Sequence, residues 1–174
     1  KLNVIIVRVK GNILQMKSDT TILIIDDDLR MRLLLRESLQ QAGYCVIDAE
    51  DGQSALEKFK ENNPDLVLLD VEMPGMDGFT VCQELRKNDS QVPIVMVTGN
   101  DDMASVEKAF TVGASDFINK PIHWGLLPHR INYILKASNA IMLERGVQRM
   151  MGQILDTIPV RVYWKDESLK YIGC

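Results

Sequence analysis

Asp26, Asp27, Asp70, Thr98 and Lys120 are the residues of this chain best suited to do chemistry together. Three carboxylates gathered in one place repel one another and raise their own pKa values unless a cation compensates, so the acids imply a bound metal. An all-oxygen donor set points to magnesium, or manganese in its place. Asp27 and Asp70 are the expected direct ligands, with Asp26 helping directly or through water. An aspartate held against such an ion can accept a phosphoryl group if an amine and a hydroxyl bind the remaining oxygens. Lys120 and Thr98 supply those groups, and Gly99 beside Thr98 leaves room for a phosphate to enter. No general base is required when the donor is already activated.

These residues meet only if strand ends carry them to one edge of a sheet. Short apolar runs at 21–25, 44–49, 66–69, 93–98 and 115–119 read as strands buried on both faces, separated by amphipathic helical stretches. That alternation predicts a parallel α/β sheet, whose ligands bind outside the carboxyl ends of the strands. Met31, Leu34, Leu35, Ser38 and Ala42 mark the apolar face of the first helix, and Gly43 stands at its left-handed cap. Ala55, Leu56 and Phe59 mark the second, Phe79, Cys82 and Leu85 the third, and Met103, Val106 and Phe110 the fourth, closed by Gly113. The fifth begins near Trp124 or Leu126, with Pro128 in its first turn. Trp124, Leu126 and Leu127 are read as its anchors to the core. Its face through Leu127, Ile131, Ile134 and Ile141 continues through Leu143, Val147, Met150 and Ile154 as a helical connector.

A length of 174 residues and 46% hydrophobic content fit one well-packed domain with a smaller appendage. A net charge of −4 and a pI near 5.2 argue against direct nucleic-acid binding. Cys45, Cys82 and Cys174 lack metal-ligand spacing, which fits a reducing cytoplasm without disulfides. No run is long and apolar enough for a membrane span. Met16 is read as the natural start, with residues 1–17 a leader; the alternative is an extra edge strand, since 2–9 have strand-like composition. Asp28 reads as a helix cap rather than a further ligand. His123 and His129 read as surface residues.

The runs Ile-Ile-Asp-Asp-Asp, Leu-Leu-Asp-Val-Glu-Met-Pro-Gly-Met-Asp-Gly, Val-Thr-Gly and Asn-Lys-Pro, in that order, resemble the receiver domains of two-component response regulators. The resemblance spans residues 21–138 and implies a flavodoxin-like, doubly wound, five-stranded parallel sheet of order 2-1-3-4-5 with five helices, the last extended into a linker. It implies that Asp70 is the phosphoacceptor, that Asp26 and Asp27 hold the metal with the Glu72 backbone carbonyl, and that Thr98 and Lys120 sense the phosphate. Phe117 takes the switch-aromatic position. Glu72 and Asn100 take positions that tune the lifetime of the phosphorylated form, and Lys120–Pro121 is expected to be cis. The implied partner is a histidine kinase or a histidine phosphotransfer protein. The implied readout is the face of the fourth helix, fifth strand and fifth helix, with a homodimer through that helix and the linker.

The domain division that follows is a leader at 1–17, a receiver at 18–140, and a helical linker at 141–174 that runs into the opening of a PAS sensory domain. Pro-Ile-His-Trp-Gly-Leu-Leu-Pro-His-Arg resembles receivers joined to diguanylate cyclase modules. The receiver itself is expected to be a signalling phosphoacceptor and not an enzyme. Competing readings are a haloacid-dehalogenase-like magnesium-dependent phosphatase and the receiver of a hybrid histidine kinase. The former places a second Asp two residues after its nucleophile, where this chain has Glu72. A nucleotide-binding module is disfavoured because acids, not a Gly-rich loop, follow the first strand.

Overall fold

The computed structural model describes residues 6–9, 12–15, 20–88, 91–99, 103–157, 164–165 and 171–173. The central sheet comprises β1 (Thr21–Ile25), β2 (Cys45–Ala49), β3 (Leu66–Asp70), β4 (Ile94–Thr98) and β5 (Asp116–Asn119). The helices are α1 (Leu29–Gln41), α2 (Gly52–Asn62), α3 (Gly78–Asn88), α4 (Met103–Thr111) and α5 (Leu127–Thr157). All sheet pairings are parallel and the strand order is 2-1-3-4-5, the flavodoxin-like arrangement expected. The chain reverses direction of growth between β2 and β3 on either side of β1, and such a switch point opens a crevice at the carboxyl ends.

The strands β1, β3 and β4 are apolar at almost every position because both faces are covered. On one face Leu23, Ile25, Val67, Leu69, Ile94 and Met96 pack with Ala55 and Phe59 of α2, Cys82 and Leu85 of α3 and Ala109 of α4. On the other, Ile22, Ile24, Leu66, Leu68, Val95 and Val97 pack with Leu35 and Leu39 of α1 and Leu127, Ile131, Ile134 and Leu135 of α5. The period-two alternation of β residues thus sorts each strand into two cores. The outer strands β2 and β5 are only partly buried, contrary to the expectation of burial on both faces, because each has a neighbour on one side alone.

Asp28 caps α1 by accepting from the Arg30 N–H, and Asp51 caps α2 by accepting from the Ser54 N–H. Gly43 and Gly113 take the left-handed conformation after α1 and α4, as their positions foretold. Lys120–Pro121 is cis.

Three helix faces differ from the sequence reading. In α1 the inward residues are Arg32, Leu35 and Leu39, while Leu34 and Ala42 are exposed. A buried arginine carries the inward row there, which hydrophobic periodicity cannot detect. In α4 the buried residue among those described is Ala109; Val106 is half-buried, the Met103 side chain lies outside the described residues, and Phe110 lies half in solvent with its ring edge-on to Phe117 at 6.0 Å. Of the supposed anchors of α5 only Leu127 is buried; Trp124 and Leu126 are exposed, and Ile122 takes their place. A turn in which His123 O accepts from Leu126 and Leu127 N–H delays the start of α5 to Leu127.

Strands Ile6–Val9 and Asn12–Gln15 pair antiparallel in a sheet of their own, so the alternative of an added edge strand is not realised. Residues 139–174 form a separate compact unit containing the remainder of α5 and two short antiparallel strands, Trp164–Lys165 and Tyr171–Gly173. Most of the PAS-like segment lies outside the described residues. On the outer edge of the main sheet, Arg130 of α5 donates to the Phe117 carbonyl at 2.6 Å and pairs with both oxygens of Asp116.

Candidate functional site

The carboxyl ends of β1, β3 and β4 place Asp26, Asp70 and Thr98 in the crevice, all nearly inaccessible to solvent. Asp26 follows β1 and Asp70 closes β3, and the two strands run side by side in register. One carboxylate oxygen from each of Asp26, Asp27 and Asp70 lies within 4.8 Å of the others. Lys120, just past β5, reaches across β4 to place Nζ 3.0 Å from Asp70 Oδ2 and 3.6 Å from Asp26 Oδ2. Its own backbone is pinned by donation of its N–H to the Thr98 carbonyl at 2.7 Å, so the strand pairing that positions Thr98 also positions the lysine.

The loop after β3 is built to let α3 approach closely. Pro74 precedes Gly75, whose positive φ completes a turn that other residues adopt only with strain. Gly78 then opens α3 by donating to the Val71 carbonyl, and a Cβ there would stand 2.1 Å from the Asp70 carbonyl oxygen. Only glycine fits. Asp77 caps the helix by accepting from the Thr80 N–H, which with the Thr80 side chain holds its carboxyl below the usual carboxylate range.

Burial drives both Asp26 and Asp70 above the ordinary aspartate value. For Asp26 the Asp70 charge adds to burial, and the Asp28 N–H and Lys120 oppose it; for Asp70 the opposition comes from Lys120. Burial pulls Lys120 down, yet its bond to Asp70 and the charges of both acids leave it above the usual lysine value. One ammonium among three acids is thus too little positive charge for the pocket. Asp26 Oδ2 is buried and has no hydrogen-bond partner. An orphaned carboxylate oxygen among hard oxygen donors fits a magnesium or manganese ion held by Asp26, Asp27 and Asp70.

The other expected site residues are placed as follows. The Glu72 side chain is exposed, and its N–H points at Asp70 Oδ1 at 3.4 Å, a long contact. Phe117 is half-buried on β5 against Phe110 and the α3–α4 core. Asn100 lies outside the described residues. Sequence reading missed Arg32, which is 7% exposed and donates to the backbone carbonyls of both Asp26 and Asp27. Its spacing of three and seven from Leu35 and Leu39 was the available signal.

A doubly wound sheet with three acids and a lysine gathered at its carboxyl edge is the arrangement expected of a receiver domain. The response regulator receiver domain family matches residues 22–132, and the chain belongs to it. It is similar to a probable transcriptional regulator of Guillardia theta, 40% identical over 92% of this chain and 65% of that protein. It is also similar to the alkaline phosphatase synthesis transcriptional regulatory protein PhoP of Bacillus subtilis, 35% identical over 86% of this chain and 65% of that one. The chain therefore spans just under two thirds of the length of these relatives. Among solved structures, the Vibrio cholerae chemotaxis protein CheY4 aligns over 67% of this chain and 98% of its own, at 30% identity and a TM-score of 0.65. A putative response regulator from Chloroflexus aurantiacus aligns over 68% and 98%, at 36% identity and 0.65. This chain thus carries the receiver domain of a two-component response regulator. No described helix is long and apolar enough to cross a membrane.

Proposed function

We propose that Asp70 accepts a phosphoryl group from a histidine kinase or a histidine phosphotransfer protein. An oxygen of Asp70 attacks phosphorus as the bond to the donor imidazole nitrogen breaks, giving an acyl phosphate and free histidine. The observation that carries this reading is the Asp70 carboxylate 3.0 Å from the Lys120 ammonium, beside two further acids, one of which has a buried oxygen that accepts no hydrogen bond. Asp26, Asp27 and Asp70, with the Glu72 carbonyl, would hold a divalent ion, which would neutralise charge on the transferring oxygens. Lys120 pairs with a phosphate oxygen once it is released from Asp70. Thr98, at the adjacent strand end, donates its hydroxyl to another. Phe117 follows Thr98 inward, and the face of α4, β5 and α5 changes as a population shift between two packings. Glu72 and Asn100 set the lifetime of the acyl phosphate.

Phosphorylation of the receiver is coupled to an output. Residues 153–174 favour a PAS module, with a diguanylate cyclase or a hybrid kinase core further on; the relatives named as transcriptional regulators favour a gene-regulatory output instead. Cytoplasmic location follows from the kinase partner. Dimerisation is assigned to α5, where Leu143, Val147 and Met150 are 71%, 52% and 63% exposed at four-and-three spacing. Ile134 is not part of that seam, because it is buried in the core.

The test is incubation with radiolabelled acetyl phosphate and magnesium. Alkali-labile labelling that disappears in Asp70→Asn supports the reading, and equal labelling of the variant refutes it.

A further inference from the structure

Arg32 is the one charged side chain on the buried face of α1, in a row whose other members are Leu35 and Leu39. A leucine or methionine there would extend the apolar face without the cost of burying a guanidinium. What the arginine does instead is reach the two acids at the head of the pocket from behind. Nη1 donates to the Asp26 carbonyl at 2.8 Å and to the Asp27 carbonyl at 3.0 Å. The rest of the group faces β2 and its end: Nε stands 3.3 Å from Asp48 Oδ2, without an aligned hydrogen bond, and Nη2 stands 3.7 Å from Glu50 Oε2. Arg36, one turn on, also pairs with Asp48 but touches neither carbonyl.

The two acids differ in what else holds them. Asp26 Oδ1 accepts from the Asp28 N–H, so its carboxylate has a local anchor. The Asp27 carboxylate is exposed, and no hydrogen bond holds it among the described residues. Its aim depends on the backbone alone. Two successive carbonyls fixed to one nitrogen of a planar fork leave the peptide between them little freedom to rotate. We propose that Arg32 is a positioning residue for metal binding: it locks the Asp26–Asp27 backbone so that both carboxylates converge with Asp70, and Asp48 and Glu50 fix the direction of its fork. The proposal rests on the proposed function of the acidic pocket.

The experiment measures Mn2+ binding by the full chain, from the loss of the free-ion EPR signal, so that metal affinity is read without phosphoryl transfer. Outer-shell groups that orient ligands are worth roughly 10- to 100-fold in affinity. Arg32→Met is expected to weaken Mn2+ binding about tenfold or more. Arg32→Lys, a point charge with no fork, recovers part of the loss. Arg36→Met, which removes a cation from the same Asp48, stays within about twofold of the parent. A merely structural role for Arg32 would lower thermal stability in both methionine variants and leave their Mn2+ affinities alike. The proposal is overturned if Arg32→Met keeps the parent near-UV circular dichroism and binds Mn2+ as tightly as the parent, or if Arg36→Met weakens binding as much. Should Arg32→Met fail to fold, parent-like binding by a folded Arg32→Lys overturns it equally. A parent chain that takes up no Mn2+ is a separate result, which refutes the proposed pocket itself.

Discussion

Replacing Asp26 by Asn should make the metal-free protein more stable and the magnesium-loaded protein relatively less so. The carboxylates of Asp26 and Asp70 offer oxygens no more than 4.8 Å apart, and the Lys120 ammonium lies 3.6 Å from Asp26. At an effective dielectric constant of about 20, these correspond to a repulsion of ~3 kcal/mol and an attraction of ~5 kcal/mol. Because 4.8 Å is an upper bound, the repulsion is at least that large; burial and the Asp70 charge are the two largest influences on Asp26 and both disfavour its ionised form, which decides the sign. A buried acceptor left without a partner costs about 1–3 kcal/mol. An Asn amide turned toward Asp70 gives that position a donor instead. Chemical denaturation at pH 7 in EDTA should therefore show Asp26→Asn ahead of the parent by about 1–3 kcal/mol. Magnesium at a hundredfold excess over its dissociation constant adds ~2.7 kcal/mol to the parent, which closes or reverses the gap. A variant less stable than the parent in EDTA, or an equal gain from magnesium in both, would refute this reasoning.

The Asp26→Asn advantage should also depend on pH. Because burial raises Asp26 above its unfolded value of 3.8, the folded chain holds a proton that the unfolded chain releases. The metal-free parent thus loses stability as pH rises from 3.8 through the folded value, and the difference between variant and parent should shrink toward pH 4; a constant difference across that range contradicts the assignment. Gly78→Ala puts a Cβ against the Asp70 carbonyl and should destabilise the chain by roughly 1–3 kcal/mol or above, read as a lowered denaturation midpoint. Glu72→Ala should alter the decay of the labelled phosphoprotein, and an unchanged half-life rules out a tuning role. Leu143→Glu should shift sedimentation from dimer toward monomer while leaving acetyl phosphate labelling intact; an unmoved coefficient places the dimer interface elsewhere.

The sheet was legible because its signal is local and repeated. Each of β1, β3 and β4 is a mostly branched apolar run that ends in a polar residue or is followed at once by one, and both faces of each strand need cover. The acids and lysine were legible for the same reason, since residues at strand ends must share an edge in a parallel sheet. What failed was any reading in which burial goes to a residue of unexpected type. Arg32 is buried because four oxygen atoms surround its fork, a fact of tertiary structure that helical spacing of apolar residues ranks last. Helical spacing with Val106 puts Phe110 on the apolar face of α4, yet the neighbouring Ala109 is the one that is buried. Trp124 and Leu126 were misread because the turn at His123 rotates the chain before α5 begins.

The Arg130 clamp on β5 bears on how copies of this protein can meet. An outermost strand normally offers free carbonyls and N–H groups to any passing strand, which is how sheets grow across molecules. Here Arg130 occupies the outward Phe117 carbonyl, and the Asp116 side chain occupies the Phe117 N–H. A second chain therefore finds no open ladder at the midpoint of this edge. A contact between copies would then fall to side chains, where it can be made and released without extending the sheet.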